Sequence, residues 1–134
     1  MKKLKALFVL PLALLIVSCD PPHFINFINN TKANAKVKIK LRDKVAESAF
    51  SEIATGDSIV FNLRSKNTAN INFGIGTWGN EGIREIVKDI KTLEIETSKI
   101  KTVYKTQESI NNLLIKNKKG FRSGWQTEIR IEIE

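Results

Sequence analysis

Three glycines stand in the run Gly74-Ile75-Gly76-Thr77-Trp78-Gly79, after an alternating segment and before a helical one, with Glu94 and Glu96 following at a distance. This GxGxxG spacing lets backbone amides approach a pyrophosphate at a helix N-terminus, where unpaired N–H groups and the helix dipole favour an anion. The preceding segment argues against that chemistry. Ala69, Ile71, Phe73 and Ile75 alternate with other residues, whereas a strand buried on both faces of a parallel sheet is apolar throughout. The expectation is a glycine-rich loop with Trp78 packed over one end of the fold. His23 is the only histidine, so a Ser–His–Asp triad or a histidine-rich metal site would have to be built around it. Beside Pro21 and Pro22 it reads as an exposed linker residue. Glu94 with Glu96, and Glu132 with Glu134, fall at i, i+2 on strand-like runs, which places each pair on one solvated face. No catalytic residue, metal ligand or cofactor is assigned.

Two further groups could make contacts. Trp78 and Trp125 are the only tryptophans, and an exposed aromatic face can stack on a sugar or anchor a protein interface. Both are candidates for ligand or partner contact. Lys116, Lys118, Lys119 and Arg122 form the densest basic cluster, a candidate for contact with an anionic surface at ~1 kcal/mol per basic residue. Its plain structural role is complementarity to the C-terminal end of a helix dipole.

The N-terminus specifies an address. Lys2, Lys3 and Lys5 precede an apolar run from Ala6 to Val17, the charge and hydropathy order of an export leader. At 12 residues the run is shorter than the roughly 20 needed to cross a bilayer. Its end, Ile16-Val17-Ser18-Cys19, resembles the lipobox of bacterial lipoproteins. The resemblance implies cleavage after residue 18 and a mature chain starting at Cys19, acylated with palmitate-class chains and held on a membrane of the cell envelope. Cys19 is also the only cysteine, and an unpaired thiol at an export cleavage site is odd unless it is modified. Acylation removes it from nucleophilic and metal chemistry, and two or more acyl chains anchor stably where one does not. Residues 19–23 then form a tether of about 15 Å at most. Asp20 resembles the inner-membrane retention residue of enterobacterial lipoproteins, a rule that differs among bacteria, so both membranes stay open. Cys19-Asp20-Pro21 leading directly into strand resembles small Bacteroidota lipoproteins, and Asp57-Ser58-Ile59 resembles the O-glycosylation acceptor of exported proteins in that phylum.

Removing the leader takes three of the 22 basic residues and none of the 14 acidic ones, so a net charge of +8 becomes +5. A basic exported body suits membrane lipid, polysaccharide or an envelope protein as partner rather than nucleic acid.

The elements that would position these groups follow from periodicity. Phe24–Ile28 is strand-like and is followed by turn chemistry at Asn29-Asn30-Thr31-Lys32. Ala35, Val37, Ile39 and Leu41 alternate with Lys36, Lys38, Lys40 and Arg42, giving one buried and one charged face. Ile59–Leu63, Ala69–Ile75, Leu93–Thr97, Ile100–Lys105 and Trp125–Glu134 complete seven predicted strands. Ile83, Ile86, Val87 and Ile90 have helical spacing behind Asn80 as N-cap, and a second helix is predicted over 107–118, capped by Thr106 and stopped by Gly120. The fold expected for residues 24–134 is one mainly β domain, an antiparallel β-sandwich of immunoglobulin-like type with two short helices. The alternative is an α+β layout with both helices on one face of a single antiparallel sheet. The Lys36-Lys38-Lys40 strand is expected beside the strand carrying Glu128, Glu132 and Glu134, because opposite charges favour that pairing. The function expected is a non-enzymatic binding or scaffolding domain on a lipid anchor, with a membrane-proximal hydrolase or enzyme inhibitor as the alternative.

Overall fold

In the computed structural model, which describes residues 21–42, 45–121 and 125–134, the alternating runs become eight strands. They are β1 (Pro22–Asn29), β2 (Ala35–Leu41), β3 (Ser58–Leu63), β4 (Thr68–Ile75), β5 (Ile90–Thr97), β6 (Lys101–Tyr104), β7 (Lys118–Phe121) and β8 (Trp125–Ile133). Helix α1 (Asn80–Asp89) joins β4 to β5, and α2 (Gln107–Lys116) joins β6 to β7. One sheet has the order β4-β1-β8-β7 and the other β3-β2-β5-β6. β1 and β8 pair in parallel, Ile25 opposite Ile129 and Phe27 opposite Ile131. The remaining pairings among the described residues are antiparallel. The chain is therefore a two-sheet β-sandwich with two short helices, as its periodicity predicts.

Period two places Val37, Ile39 and Leu41 of β2 on the inner face, where they meet Ile25, Phe27, Ile129 and Ile131 from the opposite sheet in one core cluster. Phe27 and Phe61 touch across the two sheets with ring centroids 6.1 Å apart. Each fully buried aliphatic side chain of this kind is worth about 1.5–3 kcal/mol, so Val37→Asp, which would bury an unpaired carboxylate at a site with 0% exposure, would break the sandwich. The helices bury Ile83, Ile86, Val87, Ile110 and Leu114 in the same cluster. α2 begins in a capping box, Thr106 Oγ1 accepting from the Ser109 amide at 3.1 Å and Ser109 Oγ accepting from the Thr106 amide at 3.3 Å. Such a reciprocal cap satisfies two amides that a helix start leaves unpaired.

The structure corrects several sequence expectations, and β7 adds a strand to the seven expected. β2 lies beside β5 instead of β8, so Lys36 and Lys38 face Glu96 and Glu94. Both acidic strands carry the same alternation, and charge alone does not choose between them. α2 ends at Lys116 instead of continuing to Lys118, because Asn117 turns the chain into β7, its carbonyl accepting from the Arg130 amide at 2.9 Å. α1 takes Gly79 as N-cap without a side-chain hydrogen bond, while Asn80 Oδ1 accepts from Lys118 Nζ at 2.7 Å. Finally, His23 is half-buried inside β1 and no linker residue.

Candidate functional site

Strand direction gives the sandwich two distinct ends. At the first, β1 begins: the Pro21 carbonyl accepts from the Gly76 amide at 2.9 Å, and Pro22 lies opposite Ile75. The His23 ring sits edge-on to Trp78 at 4.6 Å, and its Nδ1–H donates to the Gly74 carbonyl at 3.1 Å. Phe73 packs against Trp78 at 5.1 Å and against Phe50 at 5.5 Å. Phe50 belongs to the segment between β2 and β3, which is held by Ser48 Oγ donating to Asp89 Oδ2 at 2.9 Å. The glycine-rich loop thus closes an aromatic cluster. Gly74 and Gly76 adopt positive φ, 82° and 149°, a region where only glycine is comfortable. Trp78 is 3% exposed and its Nε1–H donates to the Phe24 carbonyl at 3.1 Å. Its ring is a core element and leaves no face for a ligand.

At the second end, Asn29 closes β1. It has no solvent exposure, and its Nδ2 donates to the carbonyls of Ala33, Leu63 and Arg64 at 2.8, 3.1 and 3.1 Å. Its Oδ1 accepts from the Thr31 amide and hydroxyl at 3.0 and 2.7 Å. One side chain therefore locks the β1–β2 turn to the β3–β4 turn, and Lys66, whose φ of 66° is the single positive value at a non-glycine among the described residues, is held in that lock by donating its amide to Asn29 O. Two clefts flank the β5–β6 turn at this end. One, of about 620 Å³, is lined by Asn34, Lys36, Asn62, Arg64, Glu96, Thr97 and Ser98 among others. The other, of about 600 Å³, is lined by Asn30, Thr31, Lys32, Lys99, Ile100 and Glu134 among others. A smaller cleft of about 200 Å³ continues from Thr97 and Ile100 toward Tyr104, Leu113 and Ile131. Four cations and two carboxylates line the two larger clefts, alongside amides and hydroxyls. Such a surface matches a ligand rich in anionic and hydroxyl groups.

The chain matches no protein-family model, no curated protein and no solved structure.

The outer sheet faces are charge-paired. Lys101 Nζ lies 2.8 Å from Glu94 and 3.9 Å from Glu96, and its hydrogen bond holds the Glu94 carboxyl below the usual carboxylate range while raising the Lys101 ammonium. Asp57 is likewise lowered, by the Ser58 hydroxyl and then by Lys40, whose Nζ is 3.5 Å away. On the other sheet, burial pushes Glu128 up, and hydrogen bonds from Arg130 and Asn26 outweigh it, so its carboxyl titrates below the ordinary value. These are surface ladders, and each exposed pair is worth at most about 1 kcal/mol.

The remaining candidates separate. Trp125 is 47% exposed at the start of β8. The basic cluster divides between elements: Lys116 is exposed in the last turn of α2, Lys118 bonds Asn80, and Lys119 is paired with Glu128 across the β7–β8 ladder. Cys19 and Arg122 lie outside the described residues. Periodicity missed the clefted end, because Asn29, Asn34, Lys36 and Arg64 come from β1, the β1–β2 turn, β2 and the β3–β4 turn. The cluster Asn29-Asn30-Thr31-Lys32 was the available signal, and alone it specifies only a turn.

Proposed function

We propose that this chain is a lipid-anchored domain of the bacterial cell envelope, held through Cys19, and that it binds an anionic envelope polysaccharide at the clefted end without chemical turnover. The observation that carries this reading is the opposition of the two ends. β1 begins at Pro22, three residues after the lipobox cysteine, and runs 8 residues to Asn29. At ~3.3 Å per residue the clefts stand about 25 Å from the anchor, clear of a bilayer and open to an extended polymer. The cations that line them, Lys32, Lys36, Arg64 and Lys99, supply charge-assisted hydrogen bonds to uronate or phosphate groups. The neighbouring Asn34, Asn62, Thr97 and Ser98 offer partners for sugar hydroxyls.

The test combines two measurements on protein taken from its native membrane. Intact mass reads whether the mature chain starts at Cys19 with added acyl mass, lost in Cys19→Ala. Affinity for an acidic polysaccharide such as polygalacturonate, compared with a neutral dextran, is then measured for the native protein and for Lys36→Ala/Arg64→Ala. The reading requires acylation, a preference for the acidic polymer that weakens with salt, and a loss of about tenfold or more in the double variant, equal to ~1.4 kcal/mol. Equal binding of the two polymers would reject the ligand class.

A further inference from the structure

Large apolar side chains left in solvent are distributed unevenly. Ile53, Ile75 and Trp125 are 45, 71 and 47% exposed, and all three lie at the end where β1 begins. Ile75 is the partner of Pro22. Trp125 opens β8, and the next residue, Gln126, accepts from the Trp78 amide at 2.6 Å, tying that strand start to the glycine-rich loop. Ile53 belongs to a turn on Phe50, its amide donating to the Phe50 carbonyl at 3.1 Å, and Phe50 packs on Phe73 beside His23. Among the described residues the opposite end exposes one such side chain, Ile100, in the wall of a cleft, and Val60, 45% exposed, stands alone in the middle of β3 opposite Lys38.

We propose that this first end seats on the lipid bilayer, with Ile53, Ile75 and Trp125 in the interface between headgroups and acyl chains. The inference rests on the reading of Cys19 as the lipid attachment residue. Pro21 already bonds the Gly76 amide, so only two Cα–Cα steps of ~3.8 Å separate Cys19 from the sandwich. An acylated Cys19 at headgroup level brings Pro22 and the adjoining Ile75 to the same level. Trp125 follows, because β4 and β8 flank β1 in the sheet and stand about 10 Å apart. Tryptophan is favoured at this depth, where an apolar ring meets a wet headgroup layer, and burying isoleucine there removes apolar surface from water. A single exposed isoleucine is ordinary on a protein surface; three large apolar side chains at the tethered end face the bilayer that the anchor brings to them. Seated this way, the sandwich holds its cationic clefts away from the membrane.

The protein has two tryptophans and Trp78 is buried, so Trp125 reports the contact. Mature lipoprotein is first checked by intact mass for acylation of Cys19. It is then reconstituted into phosphatidylcholine–phosphatidylglycerol vesicles with or without acyl chains brominated near the headgroup. Brominated lipid should quench a substantial part of the emission. That quenched part should vanish in Trp125→Phe and shrink in Ile75→Glu, a change at a solvent-exposed position. Acylated protein with equal emission in both vesicles overturns the seating and leaves the anchor standing, as does quenching that either substitution leaves unchanged. An unmodified Cys19 overturns the anchor, and the seating with it.

Discussion

Asn29 Nδ2 donates to the Leu63 carbonyl at 3.1 Å inside the sandwich, where neither group meets water. The same amide group also serves Ala33 and Arg64, and its oxygen serves Thr31. Removing it takes this donor from the buried Leu63 carbonyl and from the part-buried carbonyls of Ala33 and Arg64, at about 1–3 kcal/mol for each that cannot recover water. Asn29→Leu should therefore lower the unfolding free energy by about 3 kcal/mol or more, read by urea denaturation. Because the two locked turns form the walls of the clefts, the same variant should loosen polysaccharide binding under conditions where it remains folded. A loss below about 1 kcal/mol would show that the turns hold without Asn29.

Acid should weaken the fold through Glu128. Its carboxylate accepts from Asn26 Nδ2 at 2.7 Å and from Arg130 Nε and Nη2 at 3.1 and 2.9 Å, which together bring its folded-state pKa below the ordinary value of 4.5. A carboxyl depressed in the folded state binds its proton first in the unfolded chain, so its contribution is complete above pH 4.5 and is lost as pH falls through the folded-state value. Glu94, lowered by Lys101, acts in the same direction. Thermal unfolding from pH 7 to pH 3 should show Glu128→Gln less stable than the native protein by about 1–2 kcal/mol at neutrality, with the gap closing toward acid. A gap constant across that range would rule out the linkage.

Strands with strict alternation were legible because period two in Ala35–Leu41 or Trp125–Ile133 has one structural meaning when one face is buried. The short strand β7 was not. Lys-Lys-Gly-Phe carries no alternation and follows a helical pattern, so its pairing with β8 is decided by tertiary contact. His23 was obscured by the prolines before it, and its place in β1 depends on the distant Gly74 carbonyl. Trp78 could be placed at an end of the fold from its glycine neighbours, but its burial against His23 and Phe73 is a long-range fact. Strand order was the largest gap: the lysine face of β2 would accept either acidic strand, and what selects β5 is the inner-face packing of Ile39 against Leu93, which are paired across the ladder.

That strand order can be checked by charge exchange. Lys38 and Glu94 are ladder partners on the exposed face of β2 and β5, so Lys38→Glu sets two carboxylates opposite each other. The cost should be about 0.5–1 kcal/mol, and Glu94→Lys introduced into the same chain should recover part of it. Lys101, which already neutralises Glu94 at 2.8 Å, will be left facing a lysine in the double variant, so recovery should be incomplete. Exchange with Glu128 should recover nothing, since β8 lies in the other sheet. Additive effects for Lys38 and Glu94 would contradict the register.

The glycine-rich loop offers the sharpest contrast between neighbouring positions. Gly74 has φ 82°, and although a Cβ there would meet nothing within 4 Å, an alanine must hold a left-handed conformation that costs about 1–2 kcal/mol. Gly79 has φ −77° and ψ 156° as N-cap of α1, supplies no side-chain capping bond, and also has open space where a Cβ would stand. Gly79→Asp should therefore add a capping acceptor, reduce the freedom of the unfolded chain and place a negative charge at the helix N-terminus, for a gain of about 0.5–1 kcal/mol. Urea denaturation of the two variants should move in opposite directions from the native midpoint. The same pair separates a structural loop from an anion-binding one: a loop that cradles phosphate would lose its ligand when Asp is placed at residue 79, whereas a loop that closes the aromatic cluster should only become more stable.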